Sequence, residues 1–316
     1  MKIVLLESLG ISKEKLAEYA QKLEEQGHVF EAYEKNTDVK VQIQETKDAD
    51  VIMLANMPLS GEVIKECENL KFIDVAFTGV DHVDLKAAAE KNVAVSNASG
   101  YSNESVSELA LGMAISLFRN MSAVETRCRN GETKDGLVGR ELKGHTVGII
   151  GYGAIGRRTA ELFRAMGCEI YAYTRHPKEN TPEYVTYVSK EELLAKSDIL
   201  TLHCPLTEET KHLIGEKELE LMKEDAILIN AARGPVVDSQ ALADALNNGK
   251  IAGAAVDVFE MEPPVPTNHP LLQAKNCLVT PHVAFASKES MELRAEIVFD
   301  SLEQWMNGNQ VNCILS

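Results

Sequence analysis

A chain of 316 residues is too long for one small core and comfortable for two domains. Its 45% hydrophobic and 25% charged residues are those of an ordinary globular protein, and its formal net charge of -16 excludes an extended nucleic-acid surface, which needs clustered Lys and Arg. Cys67, Cys128, Cys168, Cys204, Cys277 and Cys313 form no C-x-x-C pair, which excludes a zinc framework or disulfide scaffold and points to reduced thiols in the cytoplasm.

In chain order, the apolar run Ile3 to Leu6 is too short for a signal segment and predicts a first buried strand. "SKEKLAEYAQKLEEQG" follows as an amphipathic helix, with Leu16, Tyr19, Ala20 and Leu23 on one face and Gly27 at its C-terminal cap. "ADVIMLAN", "KFIDVAF" and "NVAVSN" predict further strands. A long helical pattern from about Ser102 to Arg129 reads as a bridge into a second α/β unit, ending in the polar run "RNGETKDG". That unit holds the strand-like runs "HTVGIIG", "EIYAYT", "SDILTLHC", "AILINAA", "AGAAVDVF" and "NCLVTPH". The final helical stretch, "SKESMELRAEIVFDSLEQWMNG", is expected to return to the first unit. Near-continuous apolar strands alternating with helices mean parallel sheets covered on both faces. No stretch approaches the length of a membrane span.

"GYGAIG" (Gly151, Gly153, Gly156) fits G-x-G-x-x-G between a buried strand and a helix. The first glycine permits the turn, the second lets backbone approach a pyrophosphate, and the third lets helix and strand pack closely. The amides of Ala154, Ile155 and Gly156 then open the helix toward the anion. The next strand ends at Thr174, where an acidic residue would normally hold the ribose hydroxyls of NAD. Thr174 removes the repulsion such an acid offers a 2′-phosphate, and Arg175 and His176 can supply positive charge. This leans toward NADP over NAD; "TRHPK" as a solvated turn is the other reading.

Three later loops follow strands, where open α/β sheets place ligands. They carry Arg233 in "NAARGPVVD", Asp257 and Glu262 in "DVFEMEPP", and His282 in "TPHVAFAS". Singly, each is an ordinary loop residue. Together, Arg, Glu and His after successive strands beside a nucleotide site are the parts for reducing a small keto acid. His donates a proton near neutral pH, a carboxylate beside it favours the imidazolium, and Arg offers a planar fork to a substrate carboxylate.

"FTGVDHVD", "SGYSNESVSELALGM", "ELKGHTVGIIGYGAIG", "HCPLTEET", "LINAARGPVVD", "DVFEMEPP" and "TPHVAFAS", in that order, make the chain resemble the D-isomer-specific 2-hydroxyacid dehydrogenases over nearly its whole length. The resemblance implies an α/β fold of two doubly wound parallel-sheet domains. A Rossmann-type coenzyme domain (residues 99–282) is inserted into a flavodoxin-like substrate domain (1–98 and 283–316). It implies a homodimer packed through the coenzyme domain, while the cysteine pattern, the acidic charge and the apolar run lengths lead to the expectation of a cytoplasmic protein with no nucleic-acid or membrane partner. By the same resemblance, Arg233 binds the substrate carboxylate, His282 is the general acid in reduction, and Glu262 pairs with it. Thr78 and Gly79 match a second carboxylate grip made by backbone amides. Asp257 matches the residue that receives the nicotinamide carboxamide, and Cys204 and Pro205 the loop against the adenosine. Thr210, Ala231, Ala232, Arg233 and His282 complete the expected coenzyme contacts.

Asn56 and Met57 stand where relatives acting on phosphoglycerate carry an Arg, and no C-terminal extension offers a regulatory domain; both count against a phosphorylated substrate. Phe285 replaces a usual Gly or Ser, so Asn56, Met57 and Phe285 are candidates to line the substrate side chain; for Met57 and Phe285 the core is the alternative. The expected substrates are glyoxylate, hydroxypyruvate, pyruvate or a similar 2-oxo acid. A nucleotide-sensing co-repressor and a phosphite dehydrogenase-like enzyme use the same scaffold and stay open as alternatives.

Overall fold

The computed structural model describes residues 1–175, 177 and 180–316; His176, read above as a source of positive charge, lies outside the described residues. The chain divides into two compact units, Met1–Ser102 with Ala286–Ser316, and Asn103–Phe285. The crossings fall three or four residues later than the expected 98/99 and 282/283 boundaries. Tyr101 is buried against Phe77 (ring centroids 6.1 Å apart), which keeps the chain with the first unit through Ser102. At the other crossing, the amides of Val283 and Ala284 are tied to Asp257, which keeps that turn with the second unit.

The first unit has parallel strands β1 (Lys2–Leu5), β2 (Val29–Ala32), β3 (Val51–Leu54), β4 (Phe72–Val75) and β5 (Ala94–Asn97), in the spatial order β5-β4-β3-β1-β2. This is the flavodoxin-like 2-1-3-4-5 order. Strand β2 escapes the sequence pattern because it is a partly exposed edge with no apolar run. A further strand, Cys313–Leu315, joins β5 antiparallel, a departure from the all-parallel expectation, and it too is short and largely exposed.

Helix Lys13–Glu25 starts where Ser12 accepts a hydrogen bond from the Lys15 amide, and it is followed by Gly27 at φ 81°. The long helix Lys288–Met306 covers the sheet, with Trp305 stacked on Phe72 (centroids 4.6 Å, 7° between planes) and Phe299 stacked on Tyr19 (4.1 Å, 4°). Its approach to β4 encloses Asp74, which is 0% exposed. Neither carboxylate oxygen of Asp74 has a well-formed hydrogen bond among the described residues, Ser301 being its polar neighbour. Burial therefore drives its carboxyl well above the ordinary range, the Ser301 hydroxyl opposing only in part.

The second unit has β6 (Thr146–Ile150), β7 (Glu169–Tyr173), β8 (Val185–Tyr187), β9 (Ile199–Leu202), β10 (Ile227–Asn230), β11 (Gly253–Val256) and β12 (Cys277–Val279), all parallel. Their order, β12-β11-β10-β9-β6-β7-β8, is the Rossmann arrangement with one added strand. Alternation along the strands divides the core between the two faces: Ile149, Ile227, Ile229 and Ala255 pack on one, Ile150, Leu228, Ala254 and Val256 on the other. The single bridge helix expected over Ser102–Arg129 is two helices, Asn103–Phe118 and Met121–Arg129. Asn120, in the left-handed region at φ 51°, makes the break. Among the described residues no helix is long and apolar enough to cross a membrane.

Candidate active site

The carboxyl ends of the second unit's strands carry the expected residues in one spatial file. From one edge of the sheet to the other these are His282 after β12, Asp257 and Glu262 after β11, Arg233 after β10, Cys204 and Pro205 after β9, the glycine loop after β6, and Thr174 and Arg175 after β7. The strand order reverses between β9 and β6, so the glycine loop lies at the switch point where such sheets bind ligands.

Each glycine of that loop has its own reason. At Gly151, φ is 93°, and a Cβ would lie 2.5 Å from the Cys204 nitrogen. A Cβ on Gly156 would come within 2.2 Å of the Gly151 carbonyl oxygen. At Gly153, in contrast, a Cβ would meet nothing within 4 Å: the backbone borders open space. Gly153 is also the N-cap of helix Ala154–Ala165 and offers it no side-chain cap, while the first intrahelical bond runs from Arg157 N–H to its carbonyl. The amides of Ala154, Ile155 and Gly156 are left facing that space with the positive end of the helix dipole. These residues fit the pyrophosphate of a dinucleotide.

The neighbouring loops are held from within. Thr210, expected at the coenzyme, spends its hydroxyl on its own loop, accepting from the Thr207 amide at 2.7 Å and donating to the Pro205 carbonyl at 2.7 Å. Burial pushes the Cys204 thiol up to about 11, so it packs as a neutral side chain. Arg175 is half exposed and lies 3.5 Å from Glu209.

Arg233 leaves β10 on a turn that Asn230 braces from both sides. The Asn230 Oδ1 accepts from the Ala232 amide at 3.1 Å, and its Nδ2 donates to the Arg233 carbonyl at 3.0 Å. Ala231 and Ala232 are half-buried small residues in that turn, and Arg233 Nη1 donates to the Ala232 carbonyl at 2.9 Å. Asn230 escapes the motif pattern; a polar residue closing an apolar strand one turn before a candidate Arg is the signal that marks it.

His282 and Glu262 come together as expected, with His282 Nδ1 at 2.8 and 3.0 Å from the two Glu262 carboxylate oxygens. The Nε2 end of the ring is therefore the end turned away from the carboxylate. His282 has φ 55°, a conformation costing a non-glycine residue about 1–3 kcal/mol. Asp257 holds it there. Its Oδ1 accepts from Thr280 Oγ1 at 2.5 Å and the Val283 amide at 2.8 Å, its Oδ2 from the Ala284 amide at 2.9 Å, and its carbonyl from the His282 amide at 2.8 Å. Asp257 is expected to meet the nicotinamide; in the structure its carboxylate is fully buried and engaged with the His282 turn. Phe285 sets its ring edge-on to the imidazole, centroids 5.3 Å apart.

In the first unit, Met57 is fully buried, which places it in the core and not along a substrate side chain. Asn56 is half-buried, its Oδ1 accepting from Lys35 Nζ at 3.1 Å, in a loop pinned by Glu7, whose Oε1 accepts from the Ala55 and Met57 amides at 2.9 and 2.7 Å. Thr78 and Gly79 follow β4 and are half-buried; the Thr78 hydroxyl is buried without a hydrogen-bond partner among the described residues.

A Rossmann-type unit with an anion-ready glycine loop and a His–Glu pair at the same sheet edge defines the class, a nicotinamide-dependent oxidoreductase. Comparison with known proteins gives the family. Residues 111–284 match the D-isomer specific 2-hydroxyacid dehydrogenase, NAD binding domain. The chain is 35% identical over 290 residues to a hydroxypyruvate reductase of Blautia hydrogenotrophica, covering 88% of each chain. Among solved structures it resembles a D-lactate dehydrogenase of Aquifex aeolicus complexed with NAD and lactic acid (TM-score 0.88, 30% identity, 98% and 96% of the two chains). It also resembles an acyclic imino acid reductase complexed with NADPH and D-Arg (TM-score 0.91, 27% identity, 100% of both chains). The chain belongs to the D-isomer-specific 2-hydroxyacid dehydrogenase family and is an NAD(P)-dependent oxidoreductase.

Proposed function

We propose that the protein reduces a small, unphosphorylated 2-oxo acid, of the size of glyoxylate, hydroxypyruvate or pyruvate, to the D-2-hydroxy acid. The observation that carries this reading is the His282–Glu262 pair, 2.8 Å at its shortest, on the same sheet edge as Arg233. The reaction consumes the 2-oxo acid, one reduced coenzyme and one proton, and yields the 2-hydroxy acid and oxidised coenzyme. The bound nicotinamide supplies the hydride. Arg233 grips the substrate carboxylate with its guanidinium fork, which orients the carbonyl carbon. His282 delivers the proton from Nε2 to the carbonyl oxygen, while Glu262 at Nδ1 holds the ring in orientation. Phe285, its ring edge-on to the imidazole, borders the substrate side chain.

The preferred donor in this reading is NADPH. Thr174 presents no carboxylate to a 2′-phosphate, and Arg175 is exposed enough to reach one. Glu209 competes for Arg175, but an exposed ion pair is worth about 0–1 kcal/mol, against about 1.5–3 kcal/mol for a charge-assisted hydrogen bond to phosphate. The preference is accordingly modest, below about a hundredfold. A cytoplasmic homodimer is the matching assembly. Helix Met121–Arg129 buries no residue in its own unit, and Met121 and Val138 beside it are 51% and 78% exposed.

Initial rates with glyoxylate, hydroxypyruvate and pyruvate, each with NADH and NADPH, test the reading. Turnover with at least one acid and faster rates with NADPH are expected, as is selective loss of NADPH activity in Thr174→Asp. Equal loss with both coenzymes would remove Thr174 from coenzyme choice. Tight nucleotide binding with no turnover of any 2-oxo acid would turn the reading toward a nucleotide sensor.

A further inference from the structure

The loop that carries Glu262 is a polar excursion between β11 and the short helix Pro270–Gln273, and its base is closed by a second His–Glu pair. His269 Nε2 lies 3.0 Å from Glu260 Oε2, and His269 Nδ1 accepts the Leu271 amide at 3.3 Å. A ring nitrogen that accepts an N–H is unprotonated, so the neutral imidazole carries its hydrogen on Nε2 and donates it to Glu260. The pair thus holds with no charge on the histidine. The His269 ring is buried, 7% exposed, and packs against the edge of Phe259 at 5.1 Å. Burial alone would raise the Glu260 carboxyl, but hydrogen bonds from Ser239 and His269 outweigh it and hold the group below its usual value.

Glu260 is therefore fixed on two sides, to the start of helix Ser239–Asn247 and to the start of helix Pro270–Gln273. Its own backbone rests on the Arg233 turn: a Cβ on Gly234 would fall 1.9 Å from the Phe259 carbonyl carbon and 2.6 Å from the Glu260 nitrogen. One residue beyond Met261, the same strand of backbone delivers Glu262 to His282. Glu262 is 43% exposed.

We propose that Glu260 and His269 form a positioning clasp that fixes the 260–269 loop so that Glu262 meets His282. Its effect on catalysis rests on the 2-oxo acid reductase reading; its effect on the loop does not. Neither residue touches substrate or coenzyme in this assignment. His269 acts through Glu262, and misplacing a catalytic group by about 1 Å costs up to about a hundredfold.

The test pairs kinetics with hydrogen exchange on the full chain. His269→Ala is expected to lower kcat roughly tenfold to a hundredfold with coenzyme Kd within about twofold, and to speed amide exchange selectively over residues 260–268. His269→Gln, whose Nε2 can still donate to Glu260, should recover most of both. In a double-mutant cycle, His269→Ala with Glu262→Gln should be no slower than Glu262→Gln alone, because the two losses remove one function. Additive losses would overturn the coupling to Glu262, and unchanged exchange over 260–268 would overturn the clasp itself. Should His269→Ala not fold, Glu260→Gln and His269→Gln carry the same comparison with smaller steps. A wild-type protein that turns over no 2-oxo acid would refute the functional reading alone, and hydrogen exchange would still decide the clasp.

Discussion

Replacing His282 by alanine should lower kcat for 2-oxo acid reduction by about 10²- to 10⁴-fold while leaving coenzyme Kd within about twofold. The size follows from what the imidazole does: as hydride reaches the carbonyl carbon, negative charge gathers on oxygen, and a positioned acid removes it. The ring is prepared for that task by its surroundings. Glu262 occupies Nδ1, so Nε2 is the donor end, and the turn that presents the ring is held by three bonds to the Asp257 carboxylate. His282→Gln should fall nearly as far, because an amide can hold the position but donates no proton at useful acidity. Stopped-flow reduction rates measured alongside coenzyme titration check this; a His282→Ala enzyme retaining most of its kcat would remove the general-acid assignment.

Asp74→Asn should leave the protein about as stable at pH 3 and make it progressively more stable than wild type as pH rises to 8. The carboxyl of Asp74 is raised well above its ordinary value in the folded state by burial, with only partial compensation from Ser301. The native state therefore holds this proton more tightly than the unfolded chain does. The group's contribution to stability is then fully present below its unfolded value of about 3.9 and is lost as pH rises toward its folded value, at up to about 1.4 kcal/mol per pH unit. Asparagine is neutral throughout, so it removes the slope and not the burial. Urea unfolding of wild type and variant from pH 3 to pH 8 should show the two curves diverging with pH. Parallel curves would mean that the Asp74 carboxyl titrates as it does in the unfolded chain.

The parts of the site that were legible in the sequence are those whose chemistry requires a residue type at a fixed place on a strand–loop–helix unit. Gly151, Gly153 and Gly156 were readable because only glycine lets backbone pass at 2.2–2.5 Å from where a Cβ would stand, or leaves the open space beside the helix start. Arg233, Glu262 and His282 were readable as a set, because each follows an apolar strand. Asp257 was legible as a candidate but not in its engagement: nothing local says that a carboxylate after β11 will reach the amides of residues 283 and 284. Met57 shows the opposite failure, since an apolar residue beside a candidate loop reads equally as pocket or core until its neighbours close over it.

The sequence by itself determined the two α/β units, the near-continuous apolar strands and the anion-ready glycine loop, because hydrophobic periodicity and backbone sterics act over a few residues. Only the tertiary structure decided the edge strand Cys313–Leu315, the break at Asn120, the burial of Asp74 and the two His–Glu pairs. Apart from the His269–Glu260 pair, whose members are 9 residues apart, those features depend on groups brought together across tens or hundreds of residues, where the partner and not the local pattern sets conformation, hydrogen bonding and charge.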